Sequence, residues 1–145
     1  MPKYTFDTSF IISNKLSDLP DNFLLSAIVI MELSAAASDD NERKRFEALR
    51  KAYEQDGTLI VPNADDWLLC SRILFWLEQG RKKQAGGKSP SEKLGATQRM
   101  ALDVLIAVSA RRSKAIVVTE NVKDFKAIQY YCKFNLISGK EFLAE

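Results

Sequence analysis

Apolar and polar positions fall along this chain in blocks that switch between two rhythms. Tyr4-Thr5-Phe6 reads as a short strand that stops at Asp7, and Thr8 to Ile12 continues as a turn or a first helix. Phe23-Leu24-Leu25-Ser26 is apolar on both faces, as a fully buried strand is. Ser26 stands where it can cap a helix running from Ile28 to Ala37. Asp39 to Asp56 is charged and amphipathic, with Phe46, Leu49, Ala52 and Tyr53 on one stripe and Gly57 as its stop. Thr58 to Val61, closed by Pro62, is a third strand. Asp65 to Lys83 predicts a long helix, and Gln84 to Gly95, with three glycines and a proline, predicts a loop. Gln98 to Arg112 is a helix that is apolar almost all round. Ala115 to Thr119 is a fourth strand, Asn121 to Cys132 a helix, and Asn135 to Ser138 a fifth strand. Strands alternating with helices imply an α/β fold whose parallel sheet is covered on both faces, in one domain spanning 1–145.

Composition narrows the chemistry. The sequence has 145 residues, 46% of them apolar, and no histidine. The missing histidine excludes Ser-His-Asp and Cys-His catalysis and histidine-held zinc. Cys70 and Cys132 are far apart and without partner ligands. They read as small core residues of a protein in a reducing compartment. The longest largely apolar run, Phe23 to Met31, falls far short of the about 20 residues that cross a bilayer, so the expectation is a soluble cytoplasmic protein with no membrane partner. A net charge of +2 is too mild to mark the whole chain as nucleic-acid-binding.

Three carboxylates interrupt runs that are otherwise core. Asp7 is the one charge between Lys3 and Lys15, Glu32 between Asp21 and Asp39, and Asp103 between Arg99 and Arg111. Burying one ionised carboxylate without a partner costs several kcal/mol, so the fold must supply cations or a solvated crevice. Ligands of parallel α/β sheets sit beyond the carboxyl ends of the strands. Asp7 follows the first strand directly, and Glu32 lies in the first turns of the helix after the second. Strand direction alone does not bring Asp103 to that edge. If the three converge, they line an oxygen pocket for Mg²⁺ or Mn²⁺. The plainer readings are that Asp7 caps a helix at Thr8, that Asp103 pairs with Arg99, and that Glu32 is solvated. Past the fourth strand, Thr119-Glu120-Asn121-Val122-Lys123-Asp124 puts Asn121 and Asp124 at N-cap and N3, close to a capping box.

These residues in this order resemble a PIN domain, and more narrowly the VapC-type toxin ribonucleases of type II toxin–antitoxin systems. The resemblance rests on Asp7-Thr8-Ser9 with Phe10-Ile11-Ile12, on Glu32 within Ile30 to Leu33, on Asp103 followed by Leu105-Ile106-Ala107, and on Val118-Thr119 with Asn121 and Asp124. It implies a three-layer α/β/α sandwich with about five parallel strands. It also implies a Mg²⁺- or Mn²⁺-dependent endoribonuclease with a cognate antitoxin, an RNA substrate and a homodimer. Asp7, Glu32 and Asp103 match the three central acids, with Asn121 and Asp124 completing the metal set. Asn121 stands where the family often has a fourth acid, which bears on a second metal. In this reading Asp7 and Asp103 bind the main cation, and Glu32 either orients a metal-bound water or completes the shell around the bound ion's direct ligands. Ser9 and Thr119 support them.

A phosphate backbone also needs cations. Arg81, Lys82, Lys83, Lys88, Lys93 and Arg99 face only Glu92 within residues 81–99, as either a solvated loop or an RNA-guiding arm. Trp67, Phe75 and Trp76 are expected in the core, with a base-stacking, dimer or antitoxin face as the alternative. The competing function is a catalytically weak or inactive PIN-like module that binds RNA or a protein, which the Asn121 departure favours.

Overall fold

The computed structural model describes residues 2–14, 16, 19–84 and 93–144, the side chains of 84 and 93–99 excepted. Its elements run β1 (Lys3–Phe6), α1 (Thr8–Ser13), β2 (Leu25–Ser26), α2 (Ala27–Ala35), α3 (Asp40–Gln55), β3 (Leu59–Ile60), α4 (Ala64–Gln84), α5 (Lys93–Arg112), β4 (Ala115–Thr119), α6 (Val122–Gln129), β5 (Asn135–Ser138) and α7 (Gly139–Ala144).

All strand pairs are parallel. β4 lies between β1 and β5, with Phe6 opposite Val118 and Thr119 opposite Ser138. β2 and β3 form a separate two-residue ladder. The expectation of one five-stranded sheet is therefore corrected to ladders of three and two strands. One bridge, Thr5 to Leu24, with the Leu24 N–H donating to the Tyr4 carbonyl at 2.8 Å, sets β2 beside β1. The reason is length: two residues per strand leave too few ladder positions to extend the pairing. β1 thus has β2 on one side and β4 on the other, which is the point where strand order reverses.

Val117 and Val118 point to opposite faces of β4 and both are fully buried, so helices cover both sides of the sheet. Phe6 stacks on Phe10 with centroids 5.1 Å apart, and Phe142 of α7 meets both rings edge-on. The α7 helix was not foreseen from the sequence. It packs closely because Gly139 is buried: a Cβ there would press on the Glu120 carboxylate and lie 2.8 Å from the Phe10 ring. Asp66, only 5% exposed, accepts a 2.9 Å ion pair from Arg112, which also donates to the Val61 carbonyl, tying α4 to the end of α5.

Cys70 and Cys132 are free and buried, as expected, and burial pushes the Cys70 thiol up to about 11. The helix expected from Gln98 begins at Lys93, so the end of the expected loop is helical, while 85–92 lies outside the described residues. Trp67, Phe75 and Trp76 are not core: they are 55%, 60% and 39% exposed. The α4 sequence is apolar on more sides than its neighbours can cover, so periodicity alone does not choose its buried face. Among the described residues, no helix is long and apolar enough to cross a membrane.

Candidate active site

Asp7 leaves β1 and immediately caps α1. Its carboxylate accepts the Phe10 N–H at 3.0 Å, while its own N–H donates to the Val118 carbonyl of β4 at 3.1 Å. Ser9 Oγ lies 2.9 Å from both carboxylate oxygens, and Thr119 Oγ1, at the end of β4, donates to Oδ2 at 2.5 Å. Asp7 is both the helix cap of the plainer reading and the floor of a site, only 3% exposed. Burial raises its pKa, the hydrogen bonds from Thr119, Phe10 and Ser9 oppose this, and the charge of Glu32 adds to it.

Glu32, half-buried on α2, accepts a 2.7 Å hydrogen bond from Thr8 Oγ1, which joins α2 to α1. Asp103 comes from α5. From Asp103 to Arg112 the helix descends about 14 Å, and β4 then climbs about 13 Å from Ala115 to Thr119. These lengths match, so Asp103 returns to the strand ends. Its carboxyl is pushed up to about 7, first by burial and then by the charges of Asp7, Glu32 and Asp124. The four acids therefore share one field.

Asn121 departs from the capping expectation. Its side chain makes no cap to α6; it donates to Asp124 Oδ2 at 2.8 Å, and its backbone N–H donates to Thr119 Oγ1 at 2.8 Å. Thr119 thus links the buried Asp7 to the Asn121–Asp124 pair. Glu32, Asp103, Asn121 and Asp124 line one open cleft of about 1070 Å³, whose walls include Arg81, Lys123, Lys126, Tyr130 and Tyr131.

Among the described residues no three acidic side chains stand close enough to share one ion, so the acids interact through charge rather than as a finished cage. The donor set is all oxygen and strongly negative. That is the chemistry a hard divalent cation takes, so the residues fit such an ion in kind.

The chain superposes on solved structures over nearly its whole length. VapBC from Salmonella typhimurium, bound to DNA, matches at 19% identity and a TM-score of 0.54, covering 95% of this chain and 98% of the other. FitAcB from Neisseria gonorrhoeae matches at 18% and 0.53, covering 92% and 96%. VapBC2 from Rickettsia felis, bound to a fragment of promoter DNA, matches at 20% and 0.51, covering 93% and 97%. The chain has a VapC-like PIN fold. No protein-family model matches the sequence, and no curated protein does.

Within this PIN fold the predicted residues separate. Asp7, Ser9 and Thr119 meet directly beneath the cleft without lining it, while Glu32, Asp103, Asn121 and Asp124 line it. Of the predicted basic arm, Arg81 lines the cleft; Lys82 and Lys83 do not. Lys88 lies outside the described residues, as do the side chains of Lys93 and Arg99. Sequence reasoning missed Thr8, which holds Glu32, and the α6 wall. The signal was present: Lys123, Lys126, Ala127 and Tyr130 recur at helical spacing on one face.

Proposed function

We propose that this chain is a divalent-metal-dependent endoribonuclease and the toxin of a VapBC-type pair, acting as a homodimer and held in check by a cognate antitoxin. The observation that carries the reading is the gathering of Glu32, Asp103, Asn121 and Asp124 in one cleft beside buried Asp7, with the Asp103 carboxyl pushed up to about 7 by burial and, after it, by the charges of Asp7, Glu32 and Asp124. A bound Mg²⁺ or Mn²⁺ would polarise the scissile phosphate and make water a stronger nucleophile at neutral pH. Asp7 and Asp103 would hold the ion and Glu32 would reach it through a water, with Asp124 and Asn121 at the edge of the site. Thr119 and Ser9 fix the Asp7 carboxylate in place, and Thr8 fixes Glu32. The fold is shared with VapBC and FitAcB complexes, which supports a protein partner for this chain.

The test is cleavage of total cellular RNA by purified protein. Cleavage that stops with EDTA, returns with Mn²⁺ and is lost in Asp7→Asn supports the reading; cleavage indifferent to EDTA refutes it. The second reading, a PIN-like module that binds without cutting, draws on Asn121, whose amide occupies an Asp124 oxygen where an acid would leave it free. Mn²⁺ binding without cleavage would favour it.

A further inference from the structure

The cleft wall at the end of α6 is aromatic. Tyr130 is 83% exposed, packs edge-on against Tyr131 at 4.9 Å, and Tyr131 stacks on Trp76 at 5.7 Å. One ring is thus braced from behind and bare in front, at the edge of the acidic cleft. The same segment of chain, through Gln129, Lys133, Phe134 and Asn135, also lines a second cleft. This one, about 740 Å³, is lined by Arg111, Lys114, Gln129 and Lys133 and by no acidic residue. Gln129 Nε2 donates to the Phe134 carbonyl at 2.7 Å, which closes the turn between the two clefts. Lys114 holds a left-handed backbone, with φ at 58°, and is the one non-glycine residue to do so among those described. Glycine or asparagine would sit there with less strain.

A base stacks on an aromatic ring whatever its identity, provided it is unpaired. A cleft with cations and no acids takes backbone phosphates. β4 spans the two sites, with Thr119 at the acidic end and Ala115 at the basic one, about 13 Å apart. We propose that an unpaired RNA strand leaving the acidic cleft stacks a base on Tyr130 and lays its following phosphates in the Arg111–Lys114–Lys133 cleft. This rests on the ribonuclease reading and adds the path that the strand takes across this chain's surface. Duplex RNA, with its bases already paired, gains nothing from the shelf.

The experiment is fluorescence anisotropy of a labelled 15-nucleotide oligouridylate, and of an RNA duplex of equal length, in EDTA across a potassium chloride series. Wild type binds oligouridylate more tightly than duplex. Tyr130→Ala weakens oligouridylate binding roughly 5- to 150-fold at every salt concentration, as loss of one base–aromatic stack does. Tyr130→Phe, which keeps the ring, stays within about twofold of wild type, so loss of fold is not mistaken for loss of stacking. Combining Arg111→Gln, Lys114→Asn and Lys133→Gln lowers the log–log salt slope by about 2, the value for three single-strand phosphate contacts. If wild type binds but Tyr130→Ala binds equally well, or the triple variant keeps the full slope, the path is wrong and the ribonuclease reading stands. If wild type neither binds nor cleaves RNA, both fall. A poly-glutamate peptide that binds more tightly than oligouridylate, indifferent to Tyr130, overturns the RNA assignment in favour of an acidic protein segment.

Discussion

Replacing Asp103 with asparagine should make the metal-free protein more stable, and the gain should depend on pH. In the unfolded chain an aspartate ionises near 3.8, whereas in the folded protein Asp103 ionises near 7. Below about pH 4 both states are protonated and the residue carries no penalty. Between the two values the folded state binds the extra proton, so stability falls as pH rises. Above 7 the penalty is fully present. The gap between the two pKa values corresponds to at most about 4 kcal/mol. Asp103 is half-buried and opens onto solvent, so screening reduces this to about 2 kcal/mol. Asparagine keeps the shape and carries no charge. In EDTA, Asp103→Asn should melt about 6 °C above wild type at pH 8 and level with it at pH 4, measured by circular dichroism. Saturating Mn²⁺ should then stabilise wild type by about 2–3 kcal/mol and the variant far less, reversing their order. A variant less stable than wild type at pH 8 in EDTA, or a difference that does not change with pH, would refute the claim that four carboxylates strain this cleft.

Other outcomes follow from single contacts. Thr119→Val removes the 2.5 Å hydrogen bond to buried Asp7 and the acceptor of the Asn121 N–H, and denaturant unfolding at pH 7 should show a loss of about 1–3 kcal/mol, because a carboxylate loses a donor and a part-buried N–H loses its partner. Arg112→Ala leaves Asp66 buried without its ion pair and should cost about 1–3 kcal/mol, while Arg112→Lys restores part of it. Gly139→Ala drives a methyl against Glu120 and the Phe10 ring, and should lower the melting temperature by several degrees; an unchanged melt would mean that α7 shifts freely.

The acids were legible because charge inside an apolar run is costly and therefore conspicuous. Asp7, Glu32 and Asp103 each break such a run, and the structure brings all three to one end of the sheet. Asp103 needed one more step: a helix that precedes a strand runs back along it, so its first half returns to the strand's end. The Asn121–Asp124 contact was hidden, since N-cap and N3 positions suggest a capping box whether or not the side chains turn away from the helix. The exposure of Trp67, Phe75 and Trp76 was hidden for another reason. An α4 sequence apolar on several sides does not say which side its neighbours leave bare. Parallel pairing came through, but the continuity of one sheet did not, because two-residue strands at Leu25–Ser26 and Leu59–Ile60 are settled by packing and not by pattern.

Whether the acidic cleft receives a divalent cation is tested most directly by anomalous diffraction from crystals grown with Mn²⁺. A manganese peak within about 2.5 Å of carboxylate oxygens from Asp7 or Asp103, absent in Asp103→Asn, is the predicted result. At saturating Mn²⁺, an empty cleft or a peak held by other residues would contradict it.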